Sequence, residues 1–576
     1  MLTSAIFSLT IALTWPSPIS AGTWAPGEEL LFDLRDDVTP QQVETIAQEL
    51  GLDLHLNSVH AEDERLYVAA LRSPGDLSRV LAGLEPHLPL IEWVEPNYVY
   101  RLIEAPPEPS RTLPSDEGPS LRRPQPVNDP RFAEQWSFPM IGVPDAWSHS
   151  QGQGVTVAVI DTGVAFEDHK QFRRVEDLAG TAFVEGYNFI TDTSHPNDDH
   201  GHGTHVAGTI AQTTNNGVGV AGVAPKAAIM PLKVLSKRGA GTAGDIADAI
   251  RFAADEGAQV VNMSLGGGPR SFVMESAVRY ARSKGVVVVC AAGNGARARV
   301  EYPAAYPGAF AVSSVGPDRQ LAYYSSYGAQ IAVAAPGGNK QLGEGAGILQ
   351  NTITPMAVDR LDGYLHFQGT SMAAPHVAGL AALVMATGVD RVEEVERILQ
   401  ETAEDLGPEG FDPRYGHGLV NAAAAVRSAK DRADGAGWLA ALASLVVGLF
   451  ARFSTRRALA GTLLGGGLAA WSFTGASLLG IASSLIWASI VLPLLLVVGL
   501  LHMRGTRALL LGFVAGWSGL LMWFAVRLPW DLVGMPGLGG FLDRSWLILN
   551  SLAAGWLAYR LVLLFRRSAQ RRSATA

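Results

Sequence analysis

The hydrophobic residues of segment 28–103 follow a strand pattern and a helix pattern in turn. Leu30–Leu34 alternates weakly, as a strand with one buried face does. Residues 39–50 follow with a Thr-Pro start and apolar positions spaced for one face of a helix. The alternation continues with an expected strand over 66–71, a helix over 74–84 and a closing strand over 91–98. The pattern predicts a small α+β domain, which we bound at residues 22–103.

Residues 128–428 alternate between short apolar runs and helical patterns. The runs at 155–160, 260–263 and 286–290 are expected to be buried strands, and Ala243–Asp255 has one apolar helix face. Strands that alternate with helices predict a mostly parallel sheet with helices on both faces, because each crossover must return over the sheet. The expected fold class of this domain is therefore α/β.

Residues 436–565 are almost continuously apolar. Five stretches can be marked, at about 436–451, 458–474, 476–501, 508–526 and 545–565, and these predict an all-α membrane region of about five transmembrane helices. No Asp, Glu or Lys lies within them, so an ion pathway is not indicated. Passive anchoring in the lipid bilayer is the simplest role, and a membrane-protein partner stays open. A very apolar soluble bundle is the alternative.

Arginine positions predict how the membrane region is oriented. If residues 128–428 lie outside, nine arginines fall on inner segments and two on outer loops, which satisfies the positive-inside bias. The inner ones are Arg452, Arg456, Arg457, Arg504, Arg507, Arg566, Arg567, Arg571 and Arg572, and the outer ones are Arg527 and Arg544. Residues 566–576 are then a basic cytoplasmic tail. The expected location is multi-pass in a membrane, with residues 128–428 on the extracytoplasmic side.

The N-terminus and a proline-rich stretch are interpreted as non-structural segments. Residues 1–21 resemble a secretory signal peptide cleaved near Ala21, although no Lys or Arg precedes the apolar run. A mis-assigned start or an uncleaved anchor therefore stays open. Residues 104–127, rich in Pro, Glu, Ser and Arg, predict an extended and exposed linker where nicking is easy.

Charge and cysteine content exclude some classes of protein. The formal net charge of −10 argues against a nucleic-acid partner. Cys290 is the single cysteine, so no internal disulfide can form. Its place in an apolar run favours a small buried hydrophobic residue over a reactive thiol.

Three glycine-flanked motifs carry the residues of nucleophilic catalysis. Asp161 ends an apolar strand, His202 lies in His200-Gly-His-Gly-Thr-His205, and Ser371 begins an apolar helix. A serine hydroxyl is a poor nucleophile at neutral pH unless an imidazole accepts its proton. A carboxylate on the other ring nitrogen holds the tautomer and stabilises the imidazolium. The helix N-terminus adds a positive dipole end beside the reacting oxygen.

Taken together, these motifs resemble those of the subtilases, serine endopeptidases that cleave proteins and peptides, and residues 128–428 are similar to that family throughout. The order Asp, His, Ser is the family's own. The resemblance implies that His202 is the base and that His205 is structural. Asn294 follows Ala291-Ala292-Gly293, and the resemblance gives its side-chain amide the role of oxyanion donor.

The same resemblance implies a substrate-binding segment and a specificity pocket. Ser264, Leu265 and Gly266 match the segment that pairs with the substrate backbone as an added strand. Glu301 matches the floor of the primary pocket, where a carboxylate would favour Lys or Arg before the scissile bond. A Glu301 turned to solvent beside an apolar pocket is the alternative.

Calcium is the expected cofactor, with a structural role. Residues 214–220 resemble a subtilase calcium loop, and two carboxylates match ligands from elsewhere in the family. The expected ligands are Asp129, Asp177, the side chain of Asn216 and the backbone carbonyls of Thr214, Val218 and Val220. Zinc at His195–His202 is disfavoured because His202 is needed as a free base.

The domain before the linker resembles a subtilase propeptide, which assists folding and then inhibits the protease. The chain is thus expected to be a self-processing precursor with its own propeptide as a partner. The resemblance places autocleavage between about 101 and 127, with Arg111 and Arg123 as candidates if the pocket selects basic residues.

Two other functions fit the sequence less well. Ile160–Gly163 also resembles the aspartic-protease signature, but that chemistry needs two carboxylates and the chain has no second Asp-Thr-Gly or Asp-Ser-Gly. The second alternative is a membrane sensor or scaffold whose protease domain is inactive. The expected catalytic residues are all present at positions 161, 202, 294 and 371, which argues against it.

Overall fold

The computed structural model describes residues 29–62, 64–72, 74–102, 127–354, 362–432 and 514. The chain divides into two compact units, Met1–Ala429 and Lys430–Ala576. The predicted signal peptide, linker, membrane region and basic tail lie outside the described residues, apart from residues 127 and 514. Among the described helices, none combines the length and apolarity needed to cross a bilayer.

The N-terminal domain is a four-stranded antiparallel sheet with two helices. Its elements are β1 (Glu29–Leu34), α1 (Pro40–Leu50), β2 (His55–Leu56), β3 (Leu66–Ala70), α2 (Pro74–Gly83) and β4 (Ile91–Pro96), followed by β5 (Val99–Arg101). The strand order is β2-β3-β1-β4. A capping box starts α1: the Thr39 hydroxyl accepts the Gln42 N–H and the Gln42 side chain accepts the Thr39 N–H. The elements predicted from the hydrophobic pattern are confirmed here within a few residues.

The second domain is built on a parallel sheet in the order β14-β13-β12-β11-β6-β9-β7, with β8 also pairing with β9. The strands are β6 (Thr156–Asp161), β7 (Ala182–Phe183), β8 (Tyr187–Asn188), β9 (Ala228–Lys233), β11 (Val260–Met263), β12 (Val287–Ala291), β13 (Ala309–Val315) and β14 (Ile331–Pro336). Central strands such as β6 and β12 are buried on both faces, which explains why they are apolar at nearly every position.

Helices cover both faces of this sheet. The longer ones are α5 (His202–Ala211), α6 (Ala243–Asp255), α7 (Phe272–Ser283), α8 (Thr370–Met385) and α9 (Val392–Glu401). The short helices α3 (Ser137–Met140) and α4 (Val143–Ala146), strand β10 (Ala240–Thr242) and the antiparallel hairpin of β15 (Ile348–Ile353) with β16 (Asp362–Phe367) complete the domain. Short 3-10 helices lie at Val59–Ala61, Glu85–Leu90, Phe132–Glu134, Glu176–Leu178, Lys340–Leu342 and Glu344–Ala346. The predicted α/β class is confirmed.

Two buried helices bring chemistry to the carboxyl edge of the sheet. Helix α8 is buried at every residue, as expected for a helix apolar on all sides. Helix α5 is also buried throughout and packs against α8. Strands β6 and β12 end at the same edge, so the N-termini of α5 and α8 meet the residues that follow these strands.

Candidate active site

Asp161 and His202 are in direct contact at the sheet edge. His202 Nδ1 lies 2.8 Å from Asp161 Oδ1 and 3.0 Å from Oδ2. The Thr162 N–H donates to Oδ1 at 2.7 Å, so the carboxylate is held by two donors. Asp161 is fully buried and His202 is 9% exposed. This geometry fixes the proton of the imidazole on Nδ1 and leaves Nε2 able to accept one.

A glycine allows this approach. A Cβ built on Gly203 would lie 2.1 Å from the Gly163 carbonyl oxygen and 3.1 Å from the Asp161 Cβ. Any larger residue at position 203 would push the first turn of α5 away from the end of β6. The small residue after His202 is therefore required for the contact between the ring and the carboxylate.

Asp198 organises the loop before His202 and was not singled out from the sequence. Its Oδ1 accepts the N–H groups of His200 and Gly201 and the Thr162 hydroxyl. Its Oδ2 accepts the Thr204 N–H and hydroxyl, at 3.0 and 2.6 Å. Asp198 thus connects the loop, the first turn of α5 and the residue after Asp161. An acidic residue in the run 195–202 was visible, but nothing local showed that it is buried.

Ser371 lies in the first turn of α8 and is 4% exposed. Its hydroxyl donates to the Ser264 carbonyl at 3.2 Å, and the Ser264 hydroxyl donates to the Ser371 carbonyl at 2.8 Å. Ser371 is therefore tied to the segment expected to bind substrate. The Ser371 hydroxyl is thus bonded to Ser264 and not to His202; rotation of the Ser371 side chain would be needed to free the hydroxyl.

Asn294 is held beside Ser371 by its oxygen. The Thr370 N–H and hydroxyl both donate to Asn294 Oδ1 at 2.8 Å. The Asn294 Nδ2 atom lies 3.0 Å from the place where a Cβ on Gly369 would be. With its oxygen anchored, the Asn294 amide directs its nitrogen towards Gly369, two residues before Ser371, which is compatible with the expected role of an oxyanion donor.

His205 has a different environment from His202. It is fully buried, stacks on Phe367 at 4.4 Å, and its Nε2 donates to the carbonyls of Ile348 and Leu365. Burial lowers the pKa of His205 to about 3, so the ring stays neutral and structural. His200 lies 6.4 Å from His202, ring to ring, and burial together with His202 lowers its pKa.

Sequence comparisons identify relatives of this chain. The sequence model of the subtilase family matches residues 152–418. A thermophilic serine proteinase from Bacillus sp. (strain AK1) is 34% identical over 397 residues, 69% of this chain and 86% of that protein. Thermitase from Thermoactinomyces vulgaris is 38% identical over 301 residues, 52% of this chain and 99% of thermitase. The chain belongs to the subtilase family.

A solved structure supports the same assignment. Fervidolysin from Fervidobacterium pennivorans, described as a keratinolytic enzyme related to subtilisin, superposes with a TM-score of 0.58 at 28% identity. The match covers 71% of this chain and 62% of fervidolysin. The protein is thus a subtilisin-like serine protease.

In this subtilase the N-terminal domain lies along the expected substrate segment. Arg101 and Gly266 form an antiparallel bridge, and the Leu102 N–H donates to the Gly239 carbonyl at 2.8 Å. On its other edge β5 pairs with β10, so that Val99–Arg101 faces Ala240–Thr242. Strand β5 therefore lies between two segments of the protease and pairs with both, as an added strand does.

A buried carboxylate attaches the same domain to the protease. Glu95 accepts the Ser271 hydroxyl at 2.5 Å and the N–H groups of Phe272 and Val273 at 2.9 and 3.1 Å. These donors form the N-terminus of α7, where a negative charge is favoured. Burial raises the pKa of Glu95, while the Ser271 hydroxyl and the α7 N–H groups lower it. Glu95 caps a helix in another domain, and this contact was not predicted.

Glu301 lies between two glycines of the substrate region of this subtilase. A Cβ on Gly293 would lie 2.6 Å from Glu301 Cδ, and the Gly267 N–H donates to the carboxylate. Burial raises the pKa of Glu301, while Arg297 and Arg299 lower it. The side chain is half-buried against the substrate segment, in contrast to the alternative that turned it to solvent.

The expected calcium ligands converge on one loop. Asp129 and Asp177 are fully buried; Asp129 accepts the N–H groups of Asn215 and Asn216, and Asp177 accepts the Val220 N–H. Burial, with a smaller effect of Asp129, raises the pKa of Asp177 to about 7. Two neighbouring buried carboxylates fit a divalent cation, because a cation would remove their repulsion.

One expected ligand is oriented differently. The Asn216 side-chain oxygen accepts the Val218 N–H at 2.9 Å, and its amide nitrogen donates to Asp177 at 2.9 Å. Asn216 Oδ1 was expected to bind calcium, but here it accepts a hydrogen bond from the backbone instead. The amide nitrogen, and not the oxygen, faces the Asp177 carboxylate. Among the described residues, no three or more His, Cys, Asp or Glu side chains are grouped so that they could hold a metal ion. This includes the segment His195–His202, where zinc was considered.

Proposed function

We propose that this subtilase is an endopeptidase in which Ser371 attacks the substrate carbonyl, His202 accepts the serine proton and Asp161 orients His202. The observation that carries the proposal is the buried contact of 2.8 Å between His202 Nδ1 and Asp161, at the start of the helix α5 that packs against α8. The attack forms a Ser371 Oγ–carbon bond and an oxyanion. His202 then gives its proton to the leaving amine as the peptide C–N bond breaks, and water completes hydrolysis by the reverse sequence.

Asn294 would stabilise the oxyanion by donating from Nδ2. Its oxygen is anchored on Thr370, so the amide is preorganised before the reaction and costs little reorganisation. One such donor contributes about 3–4 kcal/mol to the barrier in sites of this kind, a magnitude measured in subtilisin itself.

Inhibitor chemistry tests the assignment. A fluorophosphonate should label Ser371 and abolish peptide hydrolysis, whereas a pepstatin-like inhibitor should have no effect. Ser371→Ala should lose both labelling and hydrolysis, and Ser148→Ala, at an exposed serine, should keep both. Peptide hydrolysis that survives Ser371→Ala would favour a different catalyst or an inactive domain with a contaminating protease.

The N-terminal domain would act as an inhibitory propeptide removed by self-processing. In the antiparallel register Arg101 faces Gly266, so the chain runs towards Ser264, whose carbonyl accepts the Ser371 hydroxyl. Two residues beyond Arg101 along the chain is Ile103. We therefore expect the cut after Ile103, ahead of the candidates Arg111 and Arg123, which lie outside the described residues.

Glu301 would favour Lys or Arg before the scissile bond in substrates that are not tethered to the enzyme. Its half-buried carboxylate beside Gly267 and Gly293 supports this, and Arg297 and Arg299 offset part of its charge. Matched Arg and Phe peptides should be cleaved with a preference for Arg that Glu301→Gln removes. A strong Phe preference in the unmodified enzyme would overturn the idea.

Residues 436–565 would hold the protease at the extracytoplasmic face of a membrane, with a helical membrane-protein partner open. The apolar stretches and the arginine distribution support this. The full chain should stay in the membrane fraction after washing with alkaline carbonate. Protease added to intact cells should digest the catalytic domain, because that domain is expected outside. Extraction of the full chain by carbonate would contradict it.

Calcium would be held by Asp129 and Asp177, with carbonyl oxygens of residues 214, 218 and 220 and a reoriented Asn216 amide. When bound, it would cross-link the loop to residues distant in the chain. The buried like charges support this site, and its function would be stability rather than chemistry.

A further inference from the structure

Lys233, the last residue of β9, has a buried ammonium group. The residue is 3% exposed, and a buried cation is costly unless it is paired and hydrogen-bonded. Its Nζ donates to the Thr162 carbonyl at 2.6 Å, to Asp199 Oδ1 at 2.7 Å and to the Leu235 carbonyl at 2.8 Å. Each of the three ammonium protons therefore has its own acceptor.

Two of these acceptors lie beside the proposed base and its carboxylate. Thr162 follows Asp161, and its N–H donates to the Asp161 carboxylate while its hydroxyl accepts a backbone N–H of α5. Asp199 lies in the loop that leads to His202. Lys233 therefore connects the residue that contacts the carboxylate with the loop that carries the imidazole.

The backbone around Lys233 holds the same strand end. Lys233 pairs with Asp161 in the parallel register of β9 and β6. The Asp161 carbonyl accepts the N–H groups of Val234 and Leu235 at 3.0 and 3.1 Å. The segment 233–235 thus fixes the end of β6 through its main chain and through the Lys233 side chain.

We infer that Lys233 is a positioning residue for the proposed hydrolysis. By joining Thr162 to Asp199, it holds the end of β6 and the loop before His202 in one arrangement. Lys233 acts through these neighbours and not on the substrate itself. The inference rests on the proposed function, because it assumes that His202 is the base and Asp161 its partner.

The ion pair also sets the charge near His202. Burial lowers the pKa of His200, and the Asp199 charge opposes that shift, so Asp199 acts on an imidazole of this loop. The side chains of Lys233 and Asp199 are 4% and 20% exposed, so water screens their charges only in part. The two charges compensate each other, and removal of either partner would leave one charge uncompensated.

Other charged and titratable groups surround His202. They are Asp198 and His200 in the loop, His205 on α5, Asp161 on β6 and His376 on α8, where β6, β9 and α8 are elements packed against α5. Variants of Lys233 and Asp199 leave these groups in place. A change in the pH dependence of such variants therefore reports the ion pair.

The pH profile of kcat/KM for a short peptide tests the inference with the self-processed enzyme. Its acidic limb reports the loss of the base as His202 takes up a proton. Asp199→Asn leaves the Lys233 cation, which disfavours the imidazolium, so the limb should move to lower pH by about half a unit. Lys233→Met leaves the Asp199 anion and should move the limb to higher pH by about the same amount. The double variant should restore the limb.

The positioning effect should appear in kcat. Lys233→Met should lower kcat by about ten-fold with little change in KM, because misplaced reacting groups slow the reaction while the substrate segment is unchanged. Active enzyme is counted by fluorophosphonate labelling. Lys226→Met, at an exposed lysine just before β9, is the matched control and should keep both kcat and the pH profile.

The position of the limb does not depend on the fraction of active enzyme, and Asp199→Asn alone decides the sign if Lys233→Met does not fold. Shifts in the same direction for both single variants, or no shift, would overturn the inference and leave the proposed function intact. An unchanged kcat in Lys233→Met would also overturn it. Peptide hydrolysis by Ser371→Ala at the unmodified rate would instead overturn the proposed function, and the inference with it.

Discussion

Arg101 and Gly266 exchange two backbone hydrogen bonds, each 3.0 Å long. Through this pair, the last described residues of the N-terminal domain occupy the segment that we propose for substrate. A precursor with this contact cannot accept a second strand at the same edge. Inhibition and substrate binding should therefore depend on the same residues of the protease.

Glu95→Gln should weaken inhibition by the N-terminal domain. The carboxylate accepts three hydrogen bonds from Ser271, Phe272 and Val273, and an amide keeps the shape but removes the charge that the helix N-terminus favours. We expect about ten-fold weaker inhibition, measured as a shorter lag between self-cleavage and the appearance of peptidase activity. Glu92→Gln, at an exposed position of the same strand, should leave the lag unchanged.

Inhibition should also weaken as the pH rises. Burial raises the pKa of Asp248 to about 6, with Asn57, Ser58 and Arg251 opposing it and Glu64 adding to it. Asp248 lies on α6 of the protease and accepts hydrogen bonds from Asn57 and Ser58 of the N-terminal domain, at 2.8 and 2.7 Å. A carboxyl group with a raised pKa in the docked state takes up a proton on docking, so docking is favoured below that pKa. Release returns the group to water and to its ordinary pKa near 4.

Because the pKa of Asp248 is higher in the docked state, inhibition is strongest near pH 4 and decreases as the pH rises through about 6. We expect a change on the order of ten-fold or more across this window. Measuring the lag at several pH values, with activity normalised to a short peptide, checks it. Burial also raises the pKa of the neighbouring Asp245, which contacts Asn57 of the same domain, to about 7. Asp248→Asn should therefore reduce the pH dependence, and Asp248→Asn combined with Asp245→Asn should flatten it. An unchanged profile in the double variant would show that neither carboxyl group is responsible.

Asn294→Ala should lower kcat by about 100- to 1000-fold with little change in KM, because the amide acts on the oxyanion and not on the bound substrate. The fold should persist, as judged by thermal unfolding. A rise in KM with an unchanged kcat would instead assign Asn294 to substrate binding.

Calcium should raise the unfolding temperature of the inactive Ser371→Ala form. At a free concentration 100 times the dissociation constant the gain is about 2.7 kcal/mol. Asp177→Asn should abolish the calcium-dependent increase, since it removes one of the two buried charges. Glu256→Gln, an exposed charge change, should keep it, and an equal calcium response in both variants would place the ion elsewhere.

The sequence was most informative where a residue's role depends on its own element. Asp161 ends a strand, and Ser371 begins a helix, and each position is visible in a local hydrophobic pattern. The parallel sheet then brings these ends to one edge. For the same reason, the boundaries of α1, β3 and α6 were predicted within one or two residues.

The contacts that cross domains could not be predicted. Glu95 lies at the N-terminus of α7, and Tyr100 fills a pocket bounded by Gly268 and Tyr306. Each partner lies about 170 to 200 residues away in sequence, and no periodicity reports such a pair. Asp198 was missed for a related reason, because its burial depends on the packing of α5 against the end of β6.

N-terminal sequencing of the processed protein shows whether Ser371 cuts its own chain, when the unmodified chain is compared with Ser371→Ala and with the Ser148→Ala control. We expect the unmodified and control chains to be cut after Ile103, so that the mature protein begins at Glu104, and Ser371→Ala to keep its N-terminal domain. Processing of the Ser371→Ala chain at the same bond, in the absence of another protease, would contradict Ser371 as the nucleophile.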